Sequence, residues 1–150
     1  MPTHYSIAEV EDKIVAALGE QMADYVKTCK SYQGDLAQEL DKVLLLAPAA
    51  LVAFKTRTSK RLATHGHSHR RTLVFTVYLV AEDLRGETEA RGKSPGGIYA
   101  MVEDCDAALL DQTLGLDTPE PIYGGDAKLV LARRNVCVFA VEYVVEVYKV

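Results

Sequence analysis

The sequence predicts an α+β domain, helices packed on one mostly antiparallel sheet, with the element order αβαββαββ. Three observations carry that prediction. Leu73, Phe75, Val77 and Leu79 alternate with Val74, Thr76, Tyr78 and Val80, so β-branched and aromatic residues make both faces apolar and the strand central. Ile98, Met101, Val102, Cys105 and Leu109 recur at helical spacing and give one packing stripe. Ala127 to Ala132 and Val136 to Tyr148 form a hairpin turning at Arg133-Arg134-Asn135.

Taken in order, Ser6 and Glu9 make a capping box inside a staple of Tyr5 on Val10, so the first helix starts there. Ile7, Val10, Ile14 and Leu18 are its buried stripe, and Gly19 ends or weakens it ahead of Met22. Tyr25 to Tyr32 reads as a short strand closed by Gln33-Gly34. Asp35, with Gln38 three residues on, caps a second helix that packs through Leu36, Leu40, Val43 and Leu44 and ends at Pro48. Ala49 to Lys55 is a strand and Thr56 to His69 a polar loop. Beyond the central strand, Ser94 and Pro95 suit the N-cap and N1 positions of the third helix, and Gly115 can stop it. Asp117 to Gly125 is a Pro-rich turn. In the last strand Cys137, Phe139, Val141, Tyr143, Val145 and Val147 share a face opposite Glu142 and Glu146, a half-buried strand with a wet side.

A chain of 150 residues, 49% apolar and 25% charged, is long enough for one domain over residues 1–150 with a real core. The net charge of −4 argues against a general nucleic-acid binder, which needs an excess of Lys and Arg to displace counterions. Basic clusters at Lys55 to Arg61 and Arg70-Arg71 read as a solvated loop. Cys29, Cys105 and Cys137 are odd in number and lack a C-x-x-C pair, which fits a reducing compartment better than a disulfide framework. The N-terminus lacks signal-peptide character, and the apolar run Val43 to Phe54 is too short to span a bilayer and is broken by Pro48.

Two near motifs fail on chemistry. Gly86 and Gly92-Lys93-Ser94 are separated by five residues where a P-loop has four, and Glu87 and Glu89 would set carboxylates where phosphates must lie. Gly92-Lys93-Ser94-Pro95-Gly96 has the G-x-S-x-G form of a nucleophile elbow. Pro95, however, lacks the N–H an oxyanion hole needs, and every His precedes the Ser. His65, His67 and His69 alternate and would share one face of an extended segment, a conceivable metal site, but Gly66 and Ser68 loosen it and no carboxylate or Cys stands close. A surface loop is the better reading. Glu9, Glu11 and Asp12, like Glu103, Asp104 and Asp106, read as solvated helix faces, since no nucleophile accompanies them. The residues therefore indicate no catalytic group, cofactor or metal.

Four local strings, in order, carry a resemblance: Ile7-Ala8-Glu9-Val10-Glu11-Asp12, Ser31-Tyr32-Gln33-Gly34, Leu84-Arg85-Gly86-Glu87 with Ala90-Arg91, and Gly97-Ile98-Tyr99 with Glu103-Asp104. Together they resemble Mu-like phage and prophage tail proteins, whose members look like the tail terminators of long-tailed phages. The resemblance implies a tail-terminator-like fold and a structural protein without catalysis. It implies a homo-oligomer, a hexameric ring that caps the tail tube and links it to a neck or head-completion protein. The tube protein is then a partner and the sheath protein a further candidate, while DNA passes through the ring without sequence-specific binding and no membrane is involved. The location implied is the virion tail, with the host cytoplasm during assembly. A neck or head-completion protein at the same junction is the alternative. A small metal- or nucleotide-binding module, resting on His65 to His69 or Gly86 to Ser94, is the alternative from another class. The loop holding Arg85, Gly86, Glu87, Glu89 and Arg91 is the expected subunit interface, because opposite charges on one loop suit head-to-tail pairing. Alternatively, the final strand adds to a neighbour's sheet edge.

Overall fold

The computed structural model describes residues 5–34, 38–61, 69–82, 97–133 and 136–149. Among them lie helices α1 (Ile7–Gln21), α2 (Leu40–Leu44) and α3 (Ile98–Leu109) and strands β1 (Thr28–Ser31), β2 (Ala49–Arg61), β3 (His69–Glu82), β4 (Tyr123–Arg133) and β5 (Val136–Lys149). The strands form one sheet in the order β1-β2-β3-β5-β4, antiparallel except for the parallel β1–β2 pair. This is the expected α+β architecture, and the apolar strand is indeed central.

Helix α1 starts where the capping box placed it: Ser6 Oγ accepts from the Glu9 N–H at 3.1 Å, and Glu9 Oε1 accepts from the Ser6 N–H at 3.3 Å. Tyr5 packs on the core, and its hydroxyl accepts from the Asp117 N–H at 2.9 Å, so the staple also ties the chain's start to the loop after α3. Gly19 does not end the helix, which runs on to Gln21. A Cβ at Gly19 would meet Cys29 Sγ at 3.9 Å, ordinary contact with β1.

The main core joins α1 (Val10, Ile14, Leu18), α3 (Met101, Cys105, Leu109) and one face of the sheet (Phe75, Val77, Val141, Tyr143). Full burial of each large side chain stabilises by about 1.5–3 kcal/mol, so this layer dominates the fold's energetics. A second, smaller core covers the opposite face at one end of the sheet, where Val43 of α2 and Ala47 meet Ala49, Leu51, Val80, Val136 and Val138. The period of two sorts β2 between them: Ala50 and Val52 enter the first core, Ala49 and Leu51 the second.

Several boundaries differ from the sequence reading. β2 continues to Arg61, and the supposed polar loop from Thr56 is strand, because each residue from Thr56 to Arg61 pairs with β3 from Val74 to His69 after a bulge at Phe54/Thr56. Backbone pairing overrides side-chain polarity there. β3 accordingly runs well past Leu73 to Val80 at both ends. β1 spans only Thr28–Ser31, with Tyr25 in the preceding turn. The described part of the second helix starts at Leu40 with Glu39 at its N-cap, and the proposed cap Asp35 and Leu36 lie outside the described residues.

Helix α3 takes Gly97, not Ser94, as its N-cap; Ser94 and Pro95 are outside the described residues. It ends at Leu109, and the chain turns through Asp111 at φ 62° and Leu114 at φ 54° before Gly115 at φ 75°, so Gly115 serves a later turn. β4 begins at Tyr123, earlier than Ala127. The expected wet side of β5 is only partly wet: Val138 and Ala140 are buried there by the second core and by neighbouring strands.

Candidate assembly surface

The expected interface residues Arg85, Gly86, Glu87, Glu89 and Arg91 lie outside the described residues, as do His65 and His67. What the structure describes is the two anchors of that loop: the end of β3, where Glu82 pairs with Val136, and Gly97 at the start of α3. In the first turn of α3, Tyr99 is half exposed, its ring 5.9 Å from that of Phe139 on β5. Leu129, paired with Phe139 across β4–β5, is 48% exposed, so apolar surface reaches the β4 edge beside the loop's anchors.

The final strand itself has no free edge over most of its length. β5 is held between β3 and β4, and β4 covers it from Val136 to Val144, so the edge belongs to β4. That edge is interrupted by register shifts at Gly124/Asp126 and Leu129/Leu131. Bulges and an exposed Lys128 disfavour continuous strand addition, which corrects the expectation that β5 extends a neighbour's sheet. The other edge is divided: the four-residue β1 pairs with β2 only from Ala49 to Val52.

His69 opens β3, paired in the sheet register with Arg61 on β2 and Lys149 on β5. Among the described residues no cluster of three His, Cys, Asp or Glu is arranged to hold a metal ion. Cys105 is buried and Cys29 partly so, and burial pushes both thiols up, away from the reactive thiolate.

The acidic clusters on the helices are structural in part. Tyr143 at the centre of the sheet donates to Asp106 Oδ1 at 2.7 Å, and Tyr25 donates to Asp104 Oδ2 at 2.5 Å. Both phenols are pushed well up, by burial first and then by the neighbouring charged groups, so they remain donors at any physiological pH. Glu9 closes the cap, Glu11 is buried, and Asp12 and Glu103 are exposed. The sequence reading took these carboxylates as solvated and missed the two tyrosine bonds. The available signal was a tyrosine on the apolar face of a long strand, whose buried hydroxyl needs a partner.

On the face away from α1 and α3, Arg70 gathers two carboxylates. Its Nη2 donates to Glu146 Oε2 at 2.5 Å and to Glu120 Oε1 at 2.7 Å, and Thr72 Oγ1 donates to Glu146 Oε1 at 3.2 Å. The hydrogen bond from Arg70 holds the Glu146 carboxyl below the usual range, while the hydrogen bond shared with Glu146 pushes Glu120 up. Lys55 pairs with Glu142 nearby, an exposed contact. These groups cross-link strands: Lys55 of β2 and Arg70 of β3 each reach a carboxylate of β5, and the Thr72 hydroxyl joins Arg70 on Glu146.

Against that geometry, a family model described as Bacteriophage Mu, Gp37 matches residues 6–148, nearly the whole chain. The chain belongs to the Bacteriophage Mu Gp37 family. No curated protein matches it. Membership in the Gp37 family makes this a protein of phage type, in line with a structural role and with the resemblance carried by the four sequence strings. Among its described residues no helix is long and apolar enough to cross a membrane.

Proposed function

We propose that this Gp37-family chain is a structural component of a phage or prophage tail, a terminator that closes the tail tube as a homo-hexameric ring and presents a surface to the neck. The family match over residues 6–148 carries the reading. The fold supports it physically. A capping subunit needs a rigid body and surfaces that match its neighbours, and this chain puts its polar side chains into cross-links such as Tyr143–Asp106 and Arg70–Glu146. A ring of identical subunits repeats one heterologous contact until the rotation closes, so each subunit needs two different complementary surfaces. The loop with Arg85, Gly86, Glu87, Glu89 and Arg91 remains a proposed part of one of them, and the exposed Tyr99 and Leu129 offer apolar surface of their own.

The test is native mass spectrometry and negative-stain imaging of the purified chain, alone and with purified tail tubes. The reading predicts rings of uniform copy number or a cap at one tube end. A chain that stays monomeric with tubes present, and leaves both tube ends bare, contradicts it.

A further inference from the structure

Charge in this chain is unevenly distributed. Residues 55–72 hold six of its 17 basic side chains (Lys55, Arg57, Lys60, Arg61, Arg70 and Arg71) and none of its 21 acidic ones. Helices α1 and α3 are the reverse: α1 carries Glu9, Glu11, Asp12 and Glu20 against Lys13, and α3 carries Glu103, Asp104 and Asp106 with no base. Register sorts the basic arm into two faces. Lys55 and Arg70 are engaged with Glu142 and with Glu146 and Glu120 on the face away from α1 and α3. Arg57 pairs with Leu73, and Ser59 with Arg71, which in turn pairs with Val147. Leu73 and Val147 belong to the main core, so Arg57, Ser59, Arg61 and Arg71 share the helix-side face. The Nε of Arg71 is shielded from solvent and has no hydrogen-bond acceptor among the described residues.

We propose that this basic arm of one copy docks along the acidic outer stripe of α1 in the next copy, setting Arg57 and Arg61 against Asp12 and Glu20. The inference rests on the homo-oligomer reading above and names one of its contacts. The spacings match. Arg57 and Arg61 are exposed and lie about 13 Å apart along the strand, with small Ser59 between. Asp12 and Glu20 are exposed and lie about 12 Å apart along the helix, with small Ala16 between. The contact is head-to-tail, as a closed ring requires, since the two surfaces differ. Unlike charges facing across it fix orientation and reject wrong pairings.

Charged residues on an outer strand also guard against stray pairing, and glutamate guards as well as arginine does. Sign reversal therefore separates docking from guarding. Assembly is measured by native mass spectrometry and sedimentation, with tail tubes present, for wild type, Arg57→Glu/Arg61→Glu, Asp12→Lys/Glu20→Lys and the four-fold combination, each checked for folding by circular dichroism. The arm and helix reversals are each expected to weaken association about tenfold, and the combination to recover most of it. Rings that form equally well in all four proteins overturn this contact while leaving the terminator reading intact. A wild-type chain that stays monomeric and leaves the tubes bare overturns both. Retention of duplex DNA that is lost in Arg57→Glu/Arg61→Glu, with assembly unchanged, overturns the contact in favour of a phosphate-binding arm.

Discussion

Tyr143 and Asp106 meet at 2.7 Å between the sheet and α3, and the phenol is the sole polar atom of a side chain otherwise enclosed in the core. Replacing Tyr143 with Phe keeps the ring and removes the donor, leaving a partly buried carboxylate short of a partner. The expected cost is about 2 kcal/mol in urea denaturation, and a double-mutant cycle with Asp106→Asn should show coupling between the two sites. Glu146 makes a pH prediction. Its carboxyl is held low by the hydrogen bond from Arg70, so its contribution is complete above the ordinary glutamate value of about 4.3 and is lost as pH falls through its lower folded value. Glu120 has the opposite sign. Its pKa is raised through its hydrogen bond with Glu146, so protonation favours the fold and its contribution fades as pH rises through the raised value. The stability advantage of wild type over Glu146→Gln should therefore shrink when denaturation is measured at about pH 3 instead of about pH 6.

At the scale of elements, the start of α1 and the entry to β4 depend on local chemistry. Ser6→Ala removes half of the capping box and should lower stability by about 1 kcal/mol, read as a reduced thermal midpoint. Gly124 enters β4 at φ 114°, and a Cβ there would meet the Glu142 carbonyl oxygen at 2.8 Å, on backbone that cannot swing away. Gly115 has φ 75° with open space around it. Gly124→Ala should then cost distinctly more than Gly115→Ala, whose penalty is the left-handed strain alone, about 1 kcal/mol. The capping box and the stripe of α1 were legible because each is a short-range pattern. The extension of β2 to Arg61 was not, since only its partner residues Val74 to His69 make polar residues a strand. The start of α3 was misplaced for a related reason: Ser94 and Gly97 both suit an N-cap, and spacing alone does not choose between them.

At the scale of the whole molecule, alternation and helical period foretold a central apolar strand, a terminal hairpin and helices on a sheet, because those patterns follow from burial on one core. Two larger facts came only with the fold. α2 lies on the sheet face opposite α1 and α3, and residues Thr56 to Arg61, which read as a loop, are strand paired with β3. Of the candidate surface, the interface loop was chosen from its mixed charges. The apolar surface of Tyr99 and Leu129 near the ends of that loop needed the β4–β5 register to be seen. The proposed termination of a tail tube is checked by the tail lengths of particles assembled without this chain, measured by electron microscopy. A terminator's loss should give tubes of irregular, extended length without attached heads, corrected when the chain is supplied in trans; tails of uniform normal length joined to heads would contradict the proposal.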